Sequence, residues 1–385
     1  MSIRIPVGKA LALTASSFLA ASLLSPSAAR AADPTPKVVA GPGTLPACFA
    51  PASKDTKHFQ WPAKKGPYRI AVANGFVGNT WRIQMIKTAK AFAEQPDIKP
   101  LIKELKVVST GTDVASQLGA IDNFINSGYD AIVTIAVNPT SFGPVIRRAN
   151  KAGVVLVPFD NVLDSDQVLM VNEDQTELGR LMAKWLIKNI PARTGKILEV
   201  RGLPGNSVDR DRHDGFRKLM EAAGNKFEIV EVVGNWDDGT AQKVTADAIA
   251  IHKKFDGIAV QGGSTGVVRA MIDAKHPFVP VAGEAENGFR KLCDKHSKEG
   301  LLCASGGQSP GLVAIAMKAG LEALQGKVLP QMIAVPIPYV EHPNFKAGEN
   351  YYPELTDNFF TPNEFPPCNV NITAREIMGK SESNN

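Results

Sequence analysis

From residue 68 to residue 339 the chain alternates short, nearly unbroken apolar runs with longer amphipathic stretches. Residues 131–137 read Ala-Ile-Val-Thr-Ile-Ala-Val and residues 154–159 read Val-Val-Leu-Val-Pro-Phe. Such runs leave no polar face, as expected of parallel strands buried on both sides. Together with 68–73 and 105–109 they predict four strands. Helices are predicted at 80–94, between 137 and 154, and after Asp113. That last helix gathers Val114, Leu118, Ile121 and Ile125 on one face, has Asp113 as its cap and stops at Gly128. The alternation then starts again. Helices are predicted at 176–189, 210–223, 240–251, 266–273 and 310–325, and strands at 196–200, 227–233, 257–260, 279–283 and 332–339. Two doubly wound α/β units in series follow from this pattern. The ends lack it. Residues 32–66 are rich in Pro, Ala and Lys and read as an extended arm. Residues 341–385 carry many prolines and aromatics, suited to an ordered loop if Cys368 is tied down, with the last six residues expected to be mobile.

The first 31 residues change the picture of where the protein works. Arg4 and Lys9 precede an apolar run from Leu11 to Leu24, followed by the small-residue site Ala29-Arg30-Ala31. This is the order of a secretory signal peptide cleaved after Ala31, and the run is too short for a membrane span. Export to the periplasm is the expectation. Arg4, Lys9 and Arg30 account for three of the net five positive charges, so the remaining 354 of 385 residues carry +2, with acids and bases mixed. That length suits two ordinary domains, and the charge gives no reason to propose nucleic acid as a partner. Cys48, Cys293, Cys303 and Cys368 make an even count in an exported chain, which favours disulfides. Of three possible pairings, Cys293–Cys303 closes a short loop from a helix into a strand and leaves Cys48–Cys368 as a staple between the terminal extensions. The rival is a zinc site. It lacks a CxxC, and the six histidines are scattered, so neither metal nor cofactor is expected.

In doubly wound sheets ligands bind outside the carboxyl ends of the strands. The residues there are Asn79, Trp81 and Arg82; Asn138; Asp160 and Asn161; Arg212; Trp236; Glu284; and Gln308. Amides, carboxylates and guanidinium groups bind neighbouring hydroxyls in pairs, and an aromatic plane suits the C–H face of a sugar ring. Each residue also has a plainer role. Asn79 is a favoured helix cap, Trp81 suits a core, Asp160 suits a turn, and Arg212 has Asp211 and Asp214 beside it for a surface ion pair. The chain has no P-loop or HExxH motif, and Gly262-Gly263-Ser264-Thr265-Gly266 reads as a turn into a helix, so an enzyme is not expected. A sugar-responsive repressor would begin with a helix-turn-helix where this chain has its export signal.

From residue 68 to about 339 the chain resembles the ribose-binding branch of the type I periplasmic binding proteins. The resemblance rests on the order and spacing of Asn79-Thr80-Trp81, Asn138-Pro139-Thr140, Val157-Pro158-Phe159-Asp160, Val171-Asn172-Glu173-Asp174, Leu178-Gly179, Arg210-Asp211-Arg212-His213-Asp214-Gly215-Phe216 and Gly307-Gln308-Ser309-Pro310. It implies two lobes joined by a three-strand hinge, with ligand in the cleft on Asn79, Trp81, Asn138, Asp160, Arg212, Trp236, Glu284 and Gln308; Arg82 and Asn161 are additions. The implied lobes are 67–165 with 309–335, and 166–308 with 336–340, with crossovers near 161–175, 305–309 and 335–339. The implied function is sugar capture by hinge closure for an ABC importer, the permease reading the closed form of a monomer. Service to a chemoreceptor is the alternative. Gln261-Gly262-Gly263 stands where an Asn or Asp is usual, Glu284 where an Asp is common, and Arg82 where ribose binders carry a second aromatic. These departures leave room for a sugar acid, a polyol or a larger sugar.

Overall fold

The computed structural model describes residues 33–384 apart from 225 and 308. The predicted export signal and Gln308 therefore lie outside the described residues. The arm contributes β1 (Lys37–Val39), β2 (Ala50–Pro51) and β3 (His58–Gln60). Then follow β4 (Tyr68–Asn74), α1 (Thr80–Ala93), β5 (Ile102–Ser109), α2 (Val114–Asn126), β6 (Ala131–Ile135), α3 (Gly143–Ala152) and β7 (Val155–Pro158). After β8 (Met170–Asn172) come α4 (Gln175–Asn189), β9 (Thr194–Arg201), α5 (Ser207–Ala222) and β10 (Lys226–Val233). The second half continues with α6 (Asp238–His252), β11 (Gly257–Val260), α7 (Ser264–Asp273), β12 (Val281–Gly283), α8 (Asn287–Lys295) and β13 (Cys303–Gly306). The chain returns through α9 (Leu312–Leu324), β14 (Val328–Pro330), β15 (Met332–Ala334) and β16 (Tyr339–Glu341), and ends with β17 (Glu364–Phe365), β18 (Val370–Asn371) and α10 (Ala374–Met378).

Two sheets organise these elements. The first runs β5-β4-β6-β7, all parallel. The second runs β10-β9-β11-β12-β13-β16, parallel except for its edge partner β16. Every residue of β6, β7 and β11 is buried, which is why their sequences are almost wholly apolar. The chain passes between the two sheets three times: from β7 through β8, where Phe159 bridges Val171 and β8 pairs with β15, into α4; from β13 to α9; and from β15 to β16. The single strand expected over 332–339 is thus two strands in two sheets. β15 pairs with β8, and β16 pairs with β13, because the segment between them is a crossover.

Helices begin with side-chain caps just after strand ends. Asp113 accepts from the Ser116 N–H at 2.7 Å, Asp174 from Glu177 at 2.8 Å, Asn206 from Val208 at 2.9 Å and Asp237 from Thr240 at 2.7 Å. α4 and α5 pack with almost no gap. A Cβ on Gly179 would sit 2.0 Å from the Arg212 carbonyl oxygen, and one on Gly215 would sit 2.0 Å from that of Thr176. Only glycine permits this approach, and it brings Arg212 against the start of α4.

The extensions are part of the core. Phe49, Phe59 and Trp61 of the arm and Phe359, Phe360, Phe365 and Ile377 of the tail are buried in one cluster with α1, α9 and the first sheet. Disulfides join Cys48 to Cys368 and Cys293 to Cys303. Residues 380–384 lie against the first unit. Lys380 pairs with Glu94, the Lys90 ammonium donates to the Ser383 carbonyl at 2.8 Å, and the Ser109 N–H donates to Asn384 at 3.0 Å.

Candidate functional site

The carboxyl ends of the two sheets face one another across a pocket with about 400 Å3 of empty space. Asn79, Trp81, Arg82, Asp160 and Asn161 line it from the first unit, and Val208, Arg212, Trp236, Gly262, Gly263, Glu284 and Glu286 from the second; Phe360 comes from the tail. The structure thus brings eight of the ten expected residues together. Gln308 is outside the described residues, and Asn138 is a correction. Its amide oxygen turns back into its own loop and accepts from the N–H and hydroxyl of both Thr140 and Ser141 at 2.9–3.1 Å. The residue behaves as a turn former and does not line the pocket.

Arg212 is 2% exposed, and its ion pair among the described residues is with buried Glu284. It reaches into the interior, where Nε donates to Gln175 Oε1 at 2.8 Å and Nη1 to the Gln261 carbonyl at 2.7 Å and to Glu284 Oε1 at 2.5 Å. Asp211 and Asp214, its suspected partners, pair with Arg210 and Lys218. Burial raises the pKa of Glu284, opposed by the Arg212 charge. Glu286 binds the start of α7, with Oε1 accepting from the N–H groups of Gly263 and Ser264 and Oε2 from the N–H and hydroxyl of Thr265, all at 2.7–2.9 Å. A carboxylate is well placed at a helix N-terminus.

Across the pocket Asn79 both caps α1, accepting from the Arg82 N–H at 3.0 Å, and lines the pocket. Arg82 donates through Nη1 to Asn74 Oδ1 at 2.8 Å, and its Nη2 lies 3.9 Å from Asp160 Oδ2. The partners of Asn161 fix its amide orientation. Its oxygen accepts from Arg82 Nη2 at 2.7 Å and Asn206 Nδ2 at 2.6 Å, and its nitrogen donates to Asp160 Oδ2 and Asn206 Oδ1 at 2.9 Å. Since Asn206 starts α5, this amide pair joins the two walls. Burial pushes the Asp160 carboxyl up to about 6 against the pull of Arg82 and Arg212, and lowers Arg82 to about 10. Asp160 and Trp236 both sit at left-handed backbone, φ 61° and 55°. That conformation costs a non-glycine residue about 1–3 kcal/mol and is concentrated at functional sites. The Trp236 indole lies on Gly202, where a Cβ would be 2.1 Å from the ring, and its buried N–H has no acceptor among the described residues.

Strand-end reasoning missed Glu286 and Phe360. Glu286 had a signal, being two residues past Glu284 at the end of β12. Glu173 sits just after β8, 3% exposed, with Oε2 unpartnered among the described residues. Phe360 had none, lying in an aperiodic tail. Among the described residues one set of possible metal ligands occurs, Glu199, His213 and Glu231. Arg217 already donates to Glu199 and Glu231 at 2.7 and 3.1 Å, and Arg201 to Glu231 at 3.0 Å. The set is an ion-pair network neutralised by guanidinium groups.

Residues 70–328, more than half of the chain, match the family model described as a periplasmic binding protein domain. This chain belongs to the periplasmic binding proteins. It falls in their type I, ribose-binding-like branch. The D-ribose/D-allose-binding protein of Pseudomonas aeruginosa is 28% identical over 220 residues, 54% of this chain and 66% of its own length. The xylitol-binding protein of Mycolicibacterium smegmatis is 24% identical over 184 residues, 47% of this chain and 52% of that protein. The chain thus spans only half to two thirds of these curated relatives. The crystal structure of an ABC transporter solute binding protein from Thermobispora bispora superposes with a TM-score of 0.65 at 27% identity, covering 71% of this chain and 85% of that one. These relatives are binding proteins, not enzymes.

Proposed function

We propose that the protein is the exported binding component of an ABC importer and traps a neutral sugar or polyol by closing its two lobes around it. The carrying observation is the pocket lined from both sheets by buried polar groups and two tryptophans. Asp160, Asn161, Arg212, Glu284 and Asn79 are the hydroxyl partners in this reading, Trp81 and Trp236 the aromatic faces, and the Trp236 N–H an open donor. The lobes are 67–165 with 309–335, and 166–308 with 336–340, hinged where the chain crosses between sheets. Ligand contacts both lobes only when they close, and that differential affinity shifts the population. The binding of D-ribose, D-allose and xylitol by the relatives' names agrees with this chemistry. Both arginines already face carboxylates, Arg212 directly and Arg82 at 3.9 Å. Among the described residues that line the pocket, no arginine is without a carboxylate facing it, which favours a neutral polyhydroxyl ligand over a sugar acid.

A thermal-shift screen over pentoses, hexoses, polyols and sugar acids tests this, because a ligand of the folded state raises the melting temperature with its occupancy. Stabilisation by neutral members is expected. Stabilisation by sugar acids alone would overturn the charge argument, and no response from any of them would overturn the sugar reading.

A further inference from the structure

We propose that the C-terminal tail is a third wall of the pocket, and that Phe360 on it is a specificity-determining residue that limits ligand size. This rests on the sugar-binding reading. Phe360 lines the pocket and shares a buried cluster with Trp81. Its position is fixed from both lobes. On the first, the Phe360 N–H donates to Gln84 Oε1 at 2.9 Å, and Gln84 Nε2 donates to the Phe360 carbonyl at 3.1 Å. Gln84 is one turn beyond Trp81 on α1, so one helix carries both the pocket tryptophan and the anchor of the tail. On the second, Phe360 bridges Glu286 in antiparallel fashion, the Thr361 N–H donates to the Ala285 carbonyl at 3.1 Å, and the Asn287 N–H to the Phe359 carbonyl at 2.8 Å. The segment that presents Glu284 and Glu286 to the pocket is therefore the segment that pairs with the tail.

The attachment extends deeper. Buried Arg290 donates through Nη1 to the Asn350 carbonyl at 2.8 Å and to Thr361 Oγ1 at 2.7 Å, and through Nε to Ser305 Oγ at 2.8 Å. Ser305 in turn donates to the Glu284 carbonyl at 2.6 Å. A continuous set of hydrogen bonds thus links the tail to the backbone of a pocket carboxylate. Cys368 ties the same tail covalently to Cys48 on the arm. A wall held at both ends and by a disulfide does not yield to a larger ligand as a free loop would. A substituent directed at Phe360 is excluded by contact.

The test uses the full exported chain with its disulfides and a size series on whichever sugar stabilises the wild type: the free sugar, its methyl glycoside and a disaccharide containing it. Affinities are read by calorimetry for the wild type, Phe360→Ala and Phe360→Leu. The expected result is that Phe360→Ala improves the ratio of glycoside or disaccharide to free sugar by about tenfold or more, the scale set by removing a few apolar groups from a pocket wall. Phe360→Leu falls between. If Phe360→Ala does not fold, an intermediate ratio for Phe360→Leu carries the result. A lowered melting temperature with an unchanged ratio in the folded variants overturns the proposal and leaves sugar binding intact. A wild type that binds no sugar overturns both.

Discussion

The walls that the two sheets give the pocket each set a buried arginine near a buried carboxylate, and the two pairs are built differently. On the second wall Arg212 touches Glu284 and has Gln175 and the Gln261 carbonyl as further acceptors. On the first, Arg82 spends its donors on the amides of Asn74 and Asn161 and stays 3.9 Å from Asp160. Coulombic compensation weakens with that distance while the burial penalty remains. Accordingly Asp160 rises to about 6 and Arg82 falls to about 10. On the second wall the Arg212–Glu284 pair is made before a ligand arrives. The first has a strained, under-compensated carboxylate that a row of hydroxyl donors would complete.

Breaking the finished pair has the largest expected effect. Arg212→Ala removes charge-assisted hydrogen bonds worth about 1.5–3 kcal/mol each and leaves Glu284 buried without its cation. Ligand affinity is expected to fall about a hundredfold, and the melting temperature to drop. Adding Glu284→Gln should return part of the lost stability but none of the affinity. Calorimetry and thermal unfolding separate the two; an unchanged Kd would remove Arg212 from the site.

The first wall is sharper when probed by pH. A hydroxyl that donates to Asp160 needs the ionised carboxylate, so affinity should hold above pH 6 and fall below it, at most tenfold per unit. Asp160→Asn should bind more weakly at pH 7 and lose this dependence. The sign for stability without ligand is opposite. A carboxyl raised from 3.8 to about 6 in the folded state binds more protons there than when unfolded, so it costs stability as pH rises through that window. Asp160→Asn should therefore unfold at a higher temperature than the wild type at pH 7. If affinity is flat from pH 5 to 7, the contrast between the walls has no functional meaning.

A smaller effect tests the packing that aims the second wall. Gly179→Ala sets a methyl 2.0 Å from the Arg212 carbonyl and forces α4 and α5 apart. Overpacking of this kind costs about 1–3 kcal/mol. Lower stability with affinity reduced less than in Arg212→Ala is expected, read by the same two measurements.

How much of this was legible from sequence follows local rules. The β4–β7 and β9–β13 regions were readable because parallel strands buried on both faces cannot be polar. Residues just after strands were readable as pocket residues because the topology puts every such end on one side. Asn138 failed because the same position also closes turns, and its amide oxygen was taken by Thr140 and Ser141. The burial of Arg212 depends on Gly179 and Gly215, whose meaning appears only when two helices touch. Phe360 was illegible for a different reason: its place is set by Gln84 and the Glu286 bridge, contacts made far away in sequence by a segment without periodicity.

Glu173 should have the smallest effect, and it tests whether the second wall is as complete as it looks. It lies buried beside Arg212, yet Oε2 has no partner among the described residues. Burial, with Glu284 and Asp160 adding to it, holds its pKa well above the usual carboxylate range against the pull of Arg212. Gln matches this carboxyl in shape and carries no charge to bury. Glu173→Gln should thus leave affinity within about twofold and raise the melting temperature at neutral pH by about a few degrees. The wild type pays for keeping or losing that proton as pH rises above 4.5, and the variant should lose this slope. A steep loss of affinity in Glu173→Gln would mean that Glu173 is ionised and shares Arg212 with Glu284. The second wall would then be a triad still in need of its ligand, and the difference between the walls would vanish.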